Sequence, residues 1–188
     1  MICMPSKIKK KILVVVAHPD DETIGMGGTI KFHKMKGDVV YAMSMTDGVN
    51  SRVNHNKKNI EERKKASFRS SKILGYEWVA QENLNDNSLD DYKLIEIIRI
   101  IEITKKKYNP DIVYTHSLSD LNIDHRIVAQ AVLTAFRPEP SERLEEIRLF
   151  EIPSSTDYSQ GQINGVFIPN LFVNIKNHWQ SKERALME

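Results

Sequence analysis

The chain alternates short unbroken apolar runs with segments in which apolar residues recur at helical spacing. The run at 12–17 is continuous and rich in β-branched residues, which predicts a strand buried on both faces. An apolar residue stands at i, i+3, i+4 and i+7 from Leu94 to Ile101, which predicts a helix over 92–108. The same reasoning predicts strands at 12–17, 39–45, 77–80, 112–115 and 147–152, and helices at 23–36, 59–74, 92–108 and 125–136.

This alternation of strands and helices predicts the α/β class, with an open and mostly parallel sheet joined by right-handed crossovers. No internal repeat or linker interrupts it, so we expect one domain over 1–188. A sixth strand is predicted at 166–174 and a last helix at 176–188. The polar stretch 153–165 is long for a connection and is therefore a candidate active-site loop.

Composition and charge exclude several classes of protein. The chain has 188 residues, 27 Lys plus Arg against 25 Asp plus Glu, and one cysteine, Cys3. Its short basic clusters at 7–11 and 105–107 lack interleaved aromatic residues, which argues against a nucleic-acid partner. No apolar run approaches the roughly 20 residues of a transmembrane helix, and the first one leads into HPDDE rather than a signal-peptide cleavage site. We therefore expect a globular, cytoplasmic protein.

Polar loops follow the first and the fourth predicted strands, where open α/β sheets bind their ligands. Both loops are rich in imidazole and carboxylate groups, the ligands of a catalytic Zn²⁺ ion with an open coordination position. Two such loops at the same edge of a sheet predict a divalent metal site. The residues concerned are His18, Asp20, Asp21 and Glu22 in the first loop, and His116, Asp120, Asn122, Asp124 and His125 in the second.

Simpler structural roles compete with catalysis for some polar residues. An acidic side chain at the start of a helix commonly caps it and complements the helix dipole. We expect that role for Glu22, and it is the competing role for Asp20 and for Asp21. The histidines His33, inside the first predicted helix, and His178, near the last residues, are expected at the surface.

Six motifs occur in a characteristic order along the chain. They are AHPDDE at 17–22, Gly-x-Gly-Gly at 25–28, TDG at 46–48, Asp-x-Asn-x-Asp-His at 120–125, AFRP at 135–138 and FIPNLFVNI at 167–175. Their order and spacing resemble the PIG-L/LmbE-like zinc deacetylases over most of 11–184, and AHPDDE paired with the downstream Asp-His is the specific part. Relatives with this pattern usually extend further, so we expect a C-terminal part of the substrate site to lie beyond position 188.

The resemblance implies a Rossmann-like, three-layer fold and an enzyme that removes an N-acetyl group from an amino sugar or glycoconjugate of the N-acetylglucosamine type. Carried over by motif, the zinc ligands would be His18, Asp21 and His125. Nitrogen and oxygen ligands also accept Fe²⁺. Asp20, between two ligand positions, would be the general base that takes a proton from the attacking water.

The second loop departs from the family pattern at one position. The resemblance places Asn122 and Asp124 among the catalytic residues, but many members carry a histidine where this chain has Asn122. That histidine helps to bind the oxyanion, whereas an asparagine can donate a hydrogen bond but cannot carry a proton. His116 is the nearest candidate to replace it, and a buried, hydrogen-bonded histidine at a strand end is the competing interpretation.

Two other functions stay open at this point. The acidic loops could hold two metal ions for phosphoester hydrolysis, although that chemistry needs a bridging carboxylate and more ligands. The same fold could also serve as a non-catalytic carbohydrate-binding module. The expected partner is a small amino-sugar substrate, and a homo-oligomer is compatible with the sequence.

Overall fold

Five parallel strands form one open sheet in the described part of the chain, and helices cover both of its faces. The computed structural model describes residues 9–49, 57–140, 143–159, 161 and 165–188. In chain order the elements are β1 (Lys11–Val16), α1 (Asp21–Lys36), β2 (Val39–Thr46), α2 (Lys57–Leu74), β3 (Glu77–Leu84), α3 (Leu94–Tyr108), β4 (Ile112–His116), α4 (Ile123–Ala135), β5 (Glu146–Phe150) and α5 (Trp179–Leu186).

The side chains of β1 alternate between two hydrophobic cores, one on each face of the sheet. Val14 belongs to the core that α1, α2 and α5 cover, and Val15 to the core that α3 and α4 cover. Ile30 of α1 and Ile101 of α3 are fully buried in these two cores. The architecture therefore has three layers, and the predicted fold class is confirmed.

The strand order is β3-β2-β1-β4-β5. From β1 the chain adds β2 and β3 on one side, and it then returns to add β4 and β5 on the other side, so the strand order reverses between β1 and β4. Val14 of β1 pairs with Ala42 of β2 on one side and with Tyr114 of β4 on the other. The chain leaves β1 towards α1 and leaves β4 towards α4, which lie on opposite faces. A crevice therefore opens at the carboxyl ends of these two strands, where ligands bind in folds of this kind.

The sixth predicted strand is absent from the described part of the chain. Residues 166–174 have no regular secondary structure, and the side chains of Ile168 and Phe172 are 79% and 80% exposed. β-branched and aromatic residues indicate β-propensity, but a strand also needs a neighbouring backbone with which to form a ladder. None of the described strands pairs with this segment, and Pro169 has no N–H to donate. The prediction was wrong for that reason.

The predicted last helix is shorter than its pattern suggests. A 3₁₀ turn, Lys176–His178, precedes α5. The chain enters this turn so close to α1 that a Cβ atom at Gly28 would lie 2.7 Å from the side chain of Ile175. Gly28 therefore allows the C-terminal segment to pack on α1. None of the described helices is long and apolar enough to cross a membrane.

His33 is buried, which corrects the expectation of a surface position. Its Nδ1 atom lies 2.7 Å from Oδ2 of Asp38, and its Nε2 atom lies 2.9 Å from the hydroxyl of Tyr114. Both partners come from outside α1, so the helical pattern gave no sign of them. His178 stays partly exposed, beside the ring of Phe32.

Candidate metal centre

The first half of the centre is built where β1 gives way to α1. His18 follows the strand, and Asp21 opens the helix, one turn of backbone later. Oδ2 of Asp21 accepts the backbone N–H of His18 at 2.8 Å and lies 3.2 Å from the Nδ1 atom of its ring. The short turn between strand and helix therefore holds an imidazole nitrogen against a carboxylate.

The second half comes from the start of α4. Asn122 caps this helix, since its Oδ1 atom accepts the backbone N–H of Asp124 at 2.8 Å and that of His125 at 3.4 Å. The cap holds His125 in the first turn, with Nε2 3.2 Å from Nδ1 of His18 and 3.4 Å from Oδ1 of Asp21. All three side chains are buried.

These three side chains fit a divalent metal ion. The two histidine nitrogens and the Asp21 carboxylate lie within 4.8 Å of one another. Tetrahedral zinc with ligand distances of 2.0–2.1 Å would separate its donor atoms by about 3.3 Å. The two ring nitrogens are 3.2 Å apart, Oδ2 of Asp21 lies 3.2 Å from Nδ1 of His18, and Oδ1 of Asp21 lies 3.4 Å from Nε2 of His125, so the shortest contacts are close to that value. The predicted ligands His18, Asp21 and His125 are thus brought together by the fold.

Carboxylates contact the other nitrogen of each histidine. Nε2 of His18 lies 3.0 Å from Oδ1 of Asp86 and 3.4 Å from Oδ2 of Asp124, and Nδ1 of His125 lies 3.1 Å from Oδ1 of Asp120. Carboxylates in this position orient metal-binding histidines and fix their tautomer. They leave Nδ1 of His18 and Nε2 of His125 facing the metal position.

Asp86 is a site residue that the sequence analysis did not find. It lies after β3 and is buried, although its neighbours Asn85 and Asn87 are exposed. Its only sequence signal is that it follows a strand at the same edge of the sheet as the two predicted loops. Asp86 and Asp124 form a second acidic group around His18. Each oxygen of Asp124 also accepts one backbone N–H group, which fixes this carboxylate against His18.

The two backbone bonds of Asp124 link the loop after β3 to α4. Its Oδ2 atom accepts the N–H of Asn87 at 2.7 Å, and its Oδ1 atom accepts that of Leu89 at 3.0 Å. The side chain is fully buried. The structure therefore places Asp124 behind His18 rather than at the open side of the centre.

The charge of the site favours a cation. Burial by itself would lower the pKa of both histidines, but the nearby carboxylates raise it, to about 12 for His18 and about 9 for His125. Burial would likewise raise the pKa of Asp120, but its hydrogen bonds and the charge of His125 lower it to about 2. Ionised carboxylates thus attract positive charge to the centre, and a divalent ion supplies it.

Asp20 lies beside the three candidate ligands and does not join them. Its Oδ2 atom forms an ion pair with Nη2 of Arg63, on α2, at 2.7 Å. It stands at the N-cap position of α1, but its side chain makes no capping hydrogen bond, so the structure does not favour the capping role. Burial and the charge of Asp21 raise its pKa, against the opposing charge of Arg63.

The TDG motif shapes the surroundings of this ion pair. Gly48 has a left-handed backbone, with φ of +66°, and a Cβ atom there would lie 2.8 Å from Nε of Arg63 and 3.0 Å from Cδ of Pro19. Only a glycine accepts both that conformation and that contact without strain. Gly48 therefore makes room for the guanidinium group beside Asp20.

Glu22 does not cap α1, which corrects the expectation. Its side chain is fully buried, and Oε1 accepts hydrogen bonds from the hydroxyl groups of Tyr76 and Thr23, each at 2.7 Å. Burial raises the pKa of Glu22 to about 7, although these hydrogen bonds oppose the shift. Its contacts lie within the protein interior and stabilise the start of the helix against β3.

His116 occupies the interior behind His125. The two rings stack, with centroids 4.0 Å apart and planes 2° apart, and Nε2 of His116 accepts the backbone N–H of Ala17 at 2.9 Å. Burial, and then the charge of His125, lower the pKa of His116 to about 4. This agrees with the interpretation as a buried, hydrogen-bonded histidine at a strand end.

A cavity of about 590 Å³ opens next to Asp20, between the start of α1, α2 and the end of α5. Its lining combines hydroxyl groups and charged side chains with apolar side chains, and it does not include His18, Asp21 or His125. Among the lining residues are Asp20, Thr23, Arg63, Ser67, Ser70 and Leu186. The volume lies in the range of about 300–1,000 Å³ that small-molecule sites have.

The model of the PIG-L family, described as GlcNAc-PI de-N-acetylase, matches residues 13–136 of this chain. The chain belongs to the PIG-L family. The match includes the two loops that carry His18, Asp21 and His125. The predicted family and the predicted class of enzyme, a deacetylase, are therefore confirmed.

Individual PIG-L relatives agree with this assignment. The chain is 30% identical over 185 residues to the uncharacterized deacetylase YaiS of Escherichia coli, covering 96% of this chain and 90% of the relative. It is 36% identical over 113 residues to diacetylchitobiose deacetylase of Thermococcus kodakarensis, covering 55% of this chain and 39% of that protein.

A solved structure of N,N′-diacetylchitobiose deacetylase from Pyrococcus horikoshii, in complex with an inhibitor, superimposes with a TM-score of 0.74 at 25% identity. The superposition covers 94% of this chain and 68% of that one. Neither the phosphoesterase nor the carbohydrate-binding module is favoured by these relatives.

Proposed function

We propose that this PIG-L family member is a metal-dependent hydrolase that removes the N-acetyl group from an amino sugar or glycoconjugate of the N-acetylglucosamine type. The observation that carries the proposal is the triangle of metal-binding atoms from His18, Asp21 and His125, with the carboxylate of Asp20 beside it and outside it. The family's description and the two diacetylchitobiose deacetylases support the substrate class.

The three ligands would hold the metal through Nδ1 of His18, Nε2 of His125 and the carboxylate of Asp21. A divalent ion in such a site lowers the pKa of a water molecule and polarises an amide carbonyl. Zinc suits three ligands with an open position, and Fe²⁺ accepts the same atoms. The buried surroundings strengthen every charge interaction within the centre.

Asp20 would be the general base. It takes the proton of the attacking water and returns it to the leaving amine, so that the amide C–N bond breaks while acetate and a free amino sugar are released. Two features support this role: Asp20 directly precedes the candidate ligand Asp21, and its side chain lines the neighbouring cavity of about 590 Å³. Arg63 would hold the carboxylate in place.

Asn122 and Asp124 would act as positioning residues. Oδ1 of Asn122 caps α4 beside His125, and its Nδ2 atom donates to Oδ1 of Asn87 at 3.2 Å, so both ends of the amide are engaged. Asp124 contacts the nitrogen of His18 that faces away from the metal position. Both side chains thus act on the ligands rather than on the acetyl group.

Acetate release from N,N′-diacetylchitobiose and from N-acetylglucosamine tests the proposal directly. We expect release with added Zn²⁺, none after exhaustive chelation, and recovery when the metal is returned. His125→Ala should be inactive under the same conditions. Failure of the metal-loaded wild-type protein to release acetate from any N-acetylated amino sugar would contradict the proposal.

Three expectations from the sequence stay predictions. They are a single domain over 1–188, a cytoplasmic location and a homo-oligomer.

A further inference from the structure

Asp120 is a buried carboxylate that joins the metal centre to the loop after β5. Its Oδ1 atom lies 3.1 Å from Nδ1 of His125 and accepts the backbone N–H of Asn122 at 2.8 Å. The same carboxylate accepts the hydroxyl of Ser155, and its Oδ2 atom accepts that of Thr156 at 2.7 Å. The side chain is fully buried, so these contacts fix the orientation of the carboxylate.

Thr156 is itself held firmly in the loop. Its Oγ1 atom accepts the backbone N–H of Ile152 at 2.8 Å, and its own N–H donates to the carbonyl of Ile152 at 2.9 Å. The carbonyl of Ser155 accepts the N–H of Leu121 at 3.3 Å. One hydroxyl therefore connects the backbone at the end of β5 to the carboxylate that faces His125.

We propose that Ser155 and Thr156 are positioning residues for the metal ligand His125, and that they couple residues 153–159 to metal affinity through Asp120. The inference rests on the proposed function, because it requires a metal ion between His18, Asp21 and His125. It adds two residues from a loop that none of the family motifs in this chain includes.

The physical reason is the orientation of one carboxylate. A carboxylate that receives the N–H of a metal-binding histidine fixes the ring and raises its basicity, and loss of such a partner costs about 10–100-fold in metal affinity. Oδ1 of Asp120 contacts Nδ1 of His125 at 3.1 Å, and the carboxylate can hold the ring in that contact only while its own two oxygens are held. With the hydroxyls removed, only the backbone N–H of Asn122 still holds Oδ1, and Oδ2 has lost its donor, so the ring of His125 is held less firmly.

The first test is the zinc dissociation constant, measured by competition with a chromogenic chelator. Thr156→Val removes the hydroxyl and should weaken zinc binding by about 10-fold, whereas Thr156→Ser keeps the hydroxyl and should restore wild-type affinity. Ser155→Ala should weaken binding in the same direction. Thr134→Val is the matched control, since the hydroxyl of Thr134 bonds to the carbonyl of Gln130 near the far end of α4.

The second test needs no variant, and so does not depend on the folding of Thr156→Val. Coupling is reciprocal, so zinc must stabilise the loop by the same factor by which the loop strengthens zinc binding. Hydrogen exchange at the N–H groups of Thr156, Tyr158 and Leu121 should slow by about 10-fold when zinc is added. The N–H of Asn109, at the end of α3, is the reference.

The outcomes separate this inference from the proposed function. Zinc binding by the wild-type protein with unchanged affinity in Thr156→Val and Ser155→Ala would overturn the inference and leave the proposed function intact. Unchanged exchange in the loop on addition of zinc would do the same. If the wild-type protein binds no divalent metal, the proposed function fails, and the inference fails with it.

Discussion

The Nδ1 atom of His18 lies 3.2 Å from the Nε2 atom of His125, although 107 positions separate the two residues in the sequence. Two ring nitrogens at this distance either share a proton or bind a common ion. The carboxylate of Asp21 contacts both rings, which completes a set of three metal-binding groups. The arrangement follows from the topology, since β1 and β4 are neighbours and their loops meet at one edge of the sheet.

Removal of either histidine should abolish tight metal binding, because three protein ligands leave no redundancy. We expect about one zinc ion per wild-type chain, and almost none in His18→Ala or His125→Ala, when metal content is measured after dialysis. His178→Ala, which alters a histidine outside the site, should keep the wild-type content. Stoichiometric zinc in both ligand variants would show that the site lies elsewhere.

Asp86 should act on metal affinity without being a ligand. Its carboxylate faces Nε2 of His18 at 3.0 Å, so Asp86→Asn weakens the hold on the ring and should reduce zinc affinity by about 10–100-fold. The number of ions bound at saturation should stay at about one. A wild-type protein with two ions and an Asp86→Asn variant with one would instead identify a second metal site around His18.

Asp20→Asn separates proton transfer from metal binding. The amide keeps the shape of the side chain but cannot accept a proton at neutral pH, so kcat should fall by at least about 10²-fold while zinc content stays near that of the wild type. Asp90→Asn, at an exposed position in the turn after β3, is the control. Full activity in Asp20→Asn would exclude the general-base role, and loss of zinc would make Asp20 a ligand.

Gly48→Ala should reduce activity through Arg63. The added methyl group would lie 2.8 Å from Nε of Arg63 and 3.0 Å from Cδ of Pro19, so the guanidinium must shift from its position beside Asp20. We expect a loss of about 1–2 kcal/mol of stability from the left-handed backbone and a fall in kcat of about 10-fold from the displaced ion pair.

Gly37→Ala supplies the comparison for this variant. Gly37 also has a positive φ, of +95°. The atom nearest to a new Cβ atom at Gly37 would be Cε of Lys9, 4.0 Å away and near the flexible end of that side chain. Gly37→Ala should therefore lose stability without a loss of kcat. Equal kcat values in the two alanine variants would separate Gly48 from catalysis.

Stability should depend on pH through His33. Burial lowers the pKa of His33, although the hydrogen bond to Asp38 opposes the shift, so the folded protein keeps the ring neutral. A histidine with a lowered pKa in the folded state costs stability as the pH falls below the unfolded value of about 6.5, because the unfolded chain then takes up the proton. For Asp38, burial would raise the pKa, but the hydrogen bonds from His33 and from the N–H of Lys10 lower it. The stability that Asp38 contributes is therefore lost only below about pH 3.9.

His33→Gln removes this titration. Between about pH 7.5 and about pH 5.5, the free energy of unfolding should fall more steeply in the wild-type protein than in the variant, by roughly 1 kcal/mol for one proton. Denaturant unfolding at both pH values gives the difference, and His178→Gln should behave as the wild type. The same pH dependence in wild type and His33→Gln would contradict the buried, neutral assignment.

The fold class and the chemistry of the site could be predicted from local pattern. An unbroken apolar run marks a strand that is buried on both faces, and β1 has both faces buried because its side chains enter two cores. The ligand types could also be predicted from the sequence, since His18 and Asp21 lie within one turn of backbone. The cap that Asn122 forms on the helix of His125 was not predicted.

Only the tertiary structure decided which distant groups meet. No motif marks Asp86, and the polar stretch 153–165 does not single out Thr156. Asp86, Arg63 and Thr156 each contact a site residue that is remote in sequence. The strand predicted at 166–174 failed for the same reason, because a ladder needs a partner that no local pattern contains. Propensity and periodicity are properties of one segment, whereas ion pairs, buried hydrogen bonds and strand pairing each join two segments. Their energy therefore depends on how the sheet and its helices bring those segments together.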